Sequence, residues 1–206
     1  MGKIKALVLA AGYSSRMKRN KMLLPFAGST VIENTVQKFL QSQVDGVALV
    51  VGNEREKIQQ VLASYPVRFI ENPRFAQGMS SSVQEGIRIL KEDAELEGIM
   101  IIPGDMPLIK KETINAILTE FNEKSSPIII PVHHGKRGHP VLFAKSLFPQ
   151  LMNVSGDVGA REVVRKNYEQ CCFLEVDDQG ILIDIDCPEE YARWSTLVKN
   201  RVNSKT

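Results

Sequence analysis

Two rhythms of apolar residues alternate along the first two-thirds of the chain. One is a short run dominated by aliphatic residues, at 4–10, 46–51, 67–70, 98–102 and 127–132, the pattern of strands buried on both faces. The other is helical spacing, carried by Val31, Ile32, Val36, Phe39 and Leu40 within 30–41 and by Ile58, Val61 and Leu62 within 54–63. It returns with Val83, Ile87 and Leu90 within 80–90, and with Ile114, Ile117, Leu118 and Phe121 within 111–121. Ser29 or Thr30 is placed to cap the first of these helices. Strand–helix alternation of this kind predicts a parallel, doubly wound sheet with right-handed crossovers. The last third changes texture. Short strands are expected at 140–143, 171–176 and 181–185, the last two joined by a hairpin around Asp177-Asp178-Gln179-Gly180, with helices at 160–166 and 188–198. The expected fold class is α/β, a mostly parallel doubly wound sheet with added antiparallel strands in the C-terminal third. One domain over 1–199 and a frayed tail at 200–206 complete the reading.

Composition narrows the function classes. At 206 residues, 43% hydrophobic and 24% charged, the chain is an ordinary globular domain that needs no covalent staples. A net charge of +2 argues against nucleic acid or an anionic membrane as the main partner. Cys171, Cys172 and Cys187 form no CxxC pair, which disfavours a zinc site or disulfide framework and suits a reducing compartment. The opening Met1-Gly2-Lys3-Ile4-Lys5 lacks the features of a signal peptide, position 6 is Ala where myristoylation needs Ser or Thr, and the run 4–11 is too short to span a bilayer. A soluble, cytoplasmic protein is expected.

The chemistry-bearing residues cluster where strands end. The first strand empties through Leu9-Ala10-Ala11-Gly12 into Tyr13-Ser14-Ser15-Arg16, with Lys21 shortly after. Backbone N–H groups, hydroxyls and two cations at that edge suit a polyphosphate, although the spacing is neither GxxxxGK[ST] nor GxGxxG. A later strand ends in Gly104-Asp105-Met106-Pro107, which presents an acid to a hard cation such as Mg2+ or, alternatively, only caps a helix or stabilises a turn. Alternation puts Asp184 and Asp186 on one face ahead of Pro188; Asp186 could join Asp105 at a metal, or the pair could be a solvated edge. After the third strand, Gly78 allows close approach of a base, and Ser80, Ser81 and Ser82 add hydroxyls at a helix start, where capping accounts for one serine. His139, held between Gly138 and Pro140, is a better ligand candidate than His133 and His134, which fit a solvated turn. In Gly156-Asp157-Val158-Gly159-Ala160-Arg161, Asp157 is placed to cap, whereas Arg161 opposes the helix dipole and points to an anion. No GxSxG elbow supports a nucleophilic serine.

With these blocks in view, the chain resembles the molybdenum cofactor nucleotidyltransferases, most closely the molybdenum cofactor cytidylyltransferase branch. LAAGYSSRM with KMLLP resembles that family's nucleotide signature, and NPRFAQGMSSS, GDMP, GHPVLF, GDVGAR and DIDCPEEY resemble its later blocks in order, covering about residues 5–194. The first block is shared with sugar-phosphate and isoprenoid nucleotidyltransferases; LAAG, GHPV and GDVGAR are similar to the cytidylyl branch. Lys18 and Cys187 depart from the family pattern, where Gly and Thr are common. The resemblance implies a Rossmann-like nucleotidyltransferase fold and the reaction of CTP with the molybdopterin cofactor to give the cytosine dinucleotide form and pyrophosphate. It implies Leu9, Ala10, Ala11, Gly12, Arg16 and Lys21 around the nucleotide phosphates, with Gly78, Ser80, Ser81 and Ser82 at the base. Asp105 and Asp186 would hold Mg2+, while His139 and Arg161 would face the pterin; Arg16, Lys21 and Asp105 are the expected catalytic residues. The rivals are a guanylyl transfer to the same pterin, a sugar- or isoprenoid-phosphate acceptor, and a non-catalytic carrier that delivers the cofactor. The presence of Arg16, Lys21, Asp105 and Asp186 favours an enzyme, and transient contact with a molybdoenzyme is compatible with catalysis.

Overall fold

A computed structural model describes residues 2–13, 17, 19–124, 126–156 and 159–203. In chain order the first half contains β1 (Lys3–Ala10), β2 (Pro25–Phe26), β3 (Ser29–Thr30), α1 (Val31–Leu40), β4 (Val47–Val51), α2 (Arg55–Val61), β5 (Val67–Glu71) and α3 (Met79–Leu90). The second half contains β6 (Leu96–Pro103), α4 (Lys111–Glu123), β7 (Ile128–His133), β8 (Lys136–Arg137), β9 (Val141–Ala144), α5 (Phe148–Met152), α6 (Arg161–Lys166), β10 (Cys171–Glu175) and α7 (Pro188–Asn203). The main sheet has the order β10-β7-β9-β6-β1-β4-β5, with β8 paired to the end of β7. It is a Rossmann-like α/β fold of the expected class, and most neighbouring pairs are parallel.

Alternation along β1 explains the layering. Ala6 and Val8 face one core with Ile32, Val36 and Phe39 of α1 and Ile114 and Ile117 of α4. Leu7 and Leu9 face the other with Val83, Ile87 and Leu90 of α3. Each fully buried aliphatic or aromatic side chain contributes about 1.5–3 kcal/mol relative to exposure, so strands apolar on both faces have no stable alternative to this central position. Gly86 lets α3 press on β1, since a Cβ there would lie 2.5 Å from the Leu7 methyls. Thr30, not Ser29, caps α1: its hydroxyl accepts from Glu33 N–H at 3.3 Å while Glu33 Oε2 accepts from Thr30 N–H at 2.8 Å.

The C-terminal third corrects two details. The antiparallel strand β9 is not added on one side but is inserted between β6 and β7, and β10 extends the sheet parallel to β7. The expected strand at 181–185 and its hairpin do not form. Residues Gln179–Leu182 make a 3-10 turn, and the following segment carries isolated backbone bonds, from His139 N–H to Ile181 O and from Ile185 N–H to Asp105 O. Its alternation is nevertheless real: Ile181, Ile183 and Ile185 are buried. A period of two records which side faces the core and does not require a partner strand. Among the described residues no helix is long and apolar enough to cross a membrane.

Candidate active site

The parallel strands β1, β4, β5 and β6 end at one edge of the sheet, where ligands of open α/β sheets bind. β9 runs the other way, so its first residues reach that same edge. The segment after β10 crosses it and supplies acids from far along the chain.

Beyond β1, Ala11 is buried, and among the described residues no atom outside Gly12 and its chain neighbours lies within 4 Å of where a Gly12 Cβ would stand. Ser14, Ser15, Arg16 and Lys18 lie outside the described residues, as do Asp157 and Val158. Lys21 opens a 3-10 turn, Lys21–Leu23, capped by Asn20, whose Oδ1 accepts from Met22 N–H at 3.1 Å, and anchored by the buried Met22 side chain. That anchoring aims the Lys21 ammonium at two acids. It contacts Asp105 Oδ2 and lies 2.5 Å from Asp186 Oδ1.

Asp105 is held by its neighbours rather than by its own side chain. Gly104 N–H donates to Leu9 O at 2.9 Å, and Gly104 O accepts from Thr35 Oγ1 at 2.9 Å. The Ile185 N–H to Asp105 O bond, 3.0 Å, then docks the second acidic segment. Glu190 fixes that segment from the start of α7, its Oε2 accepting from Asp186 N–H at 3.0 Å and from Cys187 N–H at 3.2 Å. In consequence a carboxylate oxygen from each of Asp105, Asp184 and Asp186 lies within 4.8 Å of the others. Asp184 is the member of this cluster that the sequence reading left unassigned; its shared face with Asp186 was the signal.

The electrostatics of this cluster favour a cation. Burial, then the neighbouring Asp186 charge, push the Asp105 carboxyl above its usual range despite the Lys21 contact. Burial and the charges of Asp105 and Asp186 do the same to Asp184. Burial disfavours the Lys21 ammonium, but attraction to Asp105 and Asp186 outweighs it and raises that group. Among the described residues, three carboxylates share this corner with the Lys21 ammonium. Asp105 Oδ1 is buried without a hydrogen-bond partner. An all-oxygen donor set with an unsatisfied buried member fits a hard divalent ion such as Mg2+ or Mn2+ rather than zinc, which prefers nitrogen and sulfur.

The loops after β5 and before β9 complete the edge. Gly78, at φ 93°, joins the 3-10 turn Phe75–Gln77 to α3. Asn72 gathers the serines: its Nδ2 donates to Ser81 Oγ at 2.8 Å and to Ser82 Oγ at 3.0 Å. Ser80 Oγ, also buried, has no partner. The exposed Tyr13 ring packs 5.1 Å from Phe75, and Gly52 makes this possible, because a Cβ there would sit 2.7 Å from Phe75 and 3.0 Å from Ala11. His139 N–H is bound at 2.9 Å to Ile181 O, and Gly138 must lack a side chain, since a Cβ would lie 2.4 Å from that same oxygen. The peptide bond between His139 and Pro140 is cis. Burial and the nearby Arg161 charge push the His139 imidazole down to about 4, so it is neutral near pH 7. Arg161 is exposed at the start of α6, and Gly159, at φ +56°, lies against Met79 of α3, where a Cβ would stand 3.0 Å from the Met79 sulfur. His133 lies apart, its Nδ1 bonded to Val176 O at 2.9 Å and its ring against His134. A cleft of about 260 Å³ between α5 and α6, lined by Gln150, Val154 and Lys166, contains none of the expected site residues.

Five buried side-chain polar atoms lack a partner among the described residues: Asn20 Nδ2, Ser80 Oγ, Asp105 Oδ1, His139 Nδ1 and Ser195 Oγ. The first four belong to, or adjoin, the blocks that meet at this edge. Buried polar groups are almost always paired with protein, ordered water or a bound ion, so these atoms are places where water or a ligand can bind.

The model of the MobA-like NTP transferase domain matches residues 6–171. The molybdenum cofactor cytidylyltransferase of Escherichia coli is 27% identical over 93% of this chain and 95% of its own. The purine catabolism protein PucB of Bacillus subtilis is 30% identical over 89% and 91%. Among solved structures, Rv0371c of Mycobacterium tuberculosis superposes with a TM-score of 0.82 at 25% identity, covering 95% of this chain and 98% of that one. With a family model matched over most of the chain, the protein belongs to the MobA-like NTP transferase family, whose reaction is nucleotidyl transfer to a small-molecule acceptor.

Proposed function

We propose that the protein transfers CMP from CTP to the terminal phosphate of the molybdenum–molybdopterin cofactor, releasing pyrophosphate and giving molybdopterin cytosine dinucleotide. The observation that carries the reading is the convergence of Lys21 on Asp105 and Asp186, with Asp184 beside them, at the end of the parallel strands. Near full-length similarity to a molybdenum cofactor cytidylyltransferase supports the choice of base and acceptor.

The acceptor phosphate, already ionised near pH 7, attacks the α-phosphorus of CTP, the bond to the β-phosphate oxygen breaks in line, and no general base is needed. Such a transfer depends on positioning and on neutralising charge. The backbone of Leu9, Ala10, Ala11 and Gly12 receives the triphosphate at the end of β1. Lys21, together with Arg16 on the strength of the sequence motif, neutralises charge that builds on the departing pyrophosphate. Asp105 and Asp186 would hold Mg2+, with Asp184 in reach; the ion would supply charge stabilisation to the phosphates. Gly78 and Ser80 approach the base, while Ser81 and Ser82 fix the turn through Asn72. His139, neutral and with an unsatisfied Nδ1, and the Arg161 cation take the acceptor.

The test is thermal unfolding with Mg2+ plus each nucleoside triphosphate, followed by pyrophosphate release with molybdopterin present. A ligand at about 100 times its dissociation constant stabilises by ~2.7 kcal/mol, which is roughly 5–10 °C for a chain of this size. CTP alone is expected to give that shift and to support turnover. A shift with GTP alone would move the protein to guanylyl transfer, and nucleotide binding without pyrophosphate release would favour a carrier.

A further inference from the structure

Lys21 stands where the acids beside it would receive a cation. Its ammonium touches Asp105 Oδ2 and lies 2.5 Å from Asp186 Oδ1, the two carboxylates assigned above to Mg2+. One oxygen from each acid of the cluster lies within 4.8 Å of the others, a span that suits a single small cation bridging them. A divalent ion bound at roughly 2.0–2.2 Å would use the same lone pairs that the ammonium now uses, and two cations side by side repel. Independently, Asp105 Oδ1 is without a partner in a residue only 4% exposed, which marks the cluster as built for a ligand beyond the lysine.

We infer that Lys21 and a divalent cation are alternative occupants of the Asp105–Asp186 pair, exchanged when the nucleotide's phosphates arrive. The inference rests on the nucleotidyltransferase reading of this edge. Lys21 can make the exchange with its side chain alone, because Met22 and Asn20 hold the turn beneath it and the lysine stem is flexible. The triphosphate supplies the anion that draws the ammonium away, and the divalent ion then takes its place on the acids. In neither state are the buried carboxylates left without a counter-charge, an arrangement that would be strongly destabilising. Metal and triphosphate affinities are consequently coupled, each raising the other.

The test is Mn2+ binding in the absence of nucleotide, read from the electron paramagnetic resonance signal of the free ion. Lys21→Met is expected to bind Mn2+ about tenfold more tightly than the wild type, within the usual range of such couplings. Lys21→Arg, which keeps the charge, is expected to bind no more tightly than the wild type. Adding Asp105→Asn to Lys21→Met should remove the gain, and Lys21→Gln serves as the neutral variant should Lys21→Met fail to fold by circular dichroism. Equal or weaker binding by the neutral variant overturns the exchange while leaving the metal site and the nucleotidyltransferase reading standing. No saturable Mn2+ binding by any variant overturns the exchange and the metal assignment together.

Discussion

Asp105 and Asp178 are both almost fully buried, at 4% and 2% exposure, and both follow strands of the same sheet, yet their surroundings are opposite. Asp178 spends both oxygens inside the protein. Oδ1 accepts from Gly180 N–H at 2.9 Å, and Oδ2 accepts from Lys110 N–H at 2.9 Å and from Thr113 Oγ1 at 2.7 Å, tying the Gln179–Leu182 turn to the start of α4. Asp105 has one oxygen on Lys21, the other on nothing, and two further carboxylates within reach. Burial by itself distinguishes neither role. What separates a structural acid from a functional one is whether the chain itself satisfies it.

The largest test of that contrast is Asp105→Ala. Turnover should fall by roughly 10²–10³-fold or more, as when a group that stabilises developing charge is removed, with the melting temperature unchanged or higher. Near-normal pyrophosphate release in this variant would break the contrast. Asp178→Ala should do the reverse. Three buried donors lose their acceptor, at a cost of about 3 kcal/mol or roughly 6–12 °C, while activity per folded molecule is retained.

The pH dependence sharpens the comparison with a third buried acid, Glu85. Burial raises its carboxyl, but hydrogen bonds from Arg88 and Arg74 outweigh that and hold it below the usual range. Its stabilisation is present above the usual carboxylate range and is lost as pH falls toward the lowered folded value. Asp105 and Asp184 have folded values above the usual range, so stability falls as pH rises through that window in metal-free buffer. Asp105→Asn is therefore expected to raise the melting temperature at pH 8 and Glu85→Gln to lower it. The Asp105 difference should close as the pH falls to about 4, near the ordinary carboxylate pKa values, and the Glu85 difference only at lower pH, below its lowered folded value. A common sign for the two variants at pH 8 would refute the assignment.

The smallest effect compares neighbouring serines. Ser81 Oγ bonds to Asn72 and reaches Arg74 O at 3.0 Å and Gly78 O at 2.8 Å, whereas buried Ser80 Oγ has no partner. Ser81→Ala should lower stability by about 1 kcal/mol. Ser80→Ala should leave stability unchanged and weaken nucleotide binding by a similar amount, roughly fivefold in KM.

The parallel half of the fold was legible because strands buried on both faces have little room for polar residues and helices between them must show one apolar stripe. The segment 181–185 misled for a related reason: Ile181, Ile183 and Ile185 alternate because they face the core, and alternation carries no information about whether another strand lies alongside. The insertion of β9 between β6 and β7 was likewise invisible, since strand order is set by contacts distant in sequence. At the site, Asp105 and Lys21 could be read from their place after buried strands. Their direct contact could not, because it depends on the Met22 anchor and on the Ile185 to Asp105 bond that carries Asp186 across 80 intervening positions. Nor could the division of labour among Ser80, Ser81 and Ser82, which Asn72 decides.

The reversed direction of β9 has a consequence for how such a protein can change. Because this strand begins where its neighbours finish, His139 reaches the working edge on a piece of chain separate from the loops after β1, β5 and β6. The two sides of the edge are thus spelled in different paragraphs of the sequence. Substitutions around Gly138 and His139 can redraw one side while the Gly12 loop and the Asp105 turn stay as they are, which makes the backward strand a natural seam for altering what is recognised without rewriting the chemistry.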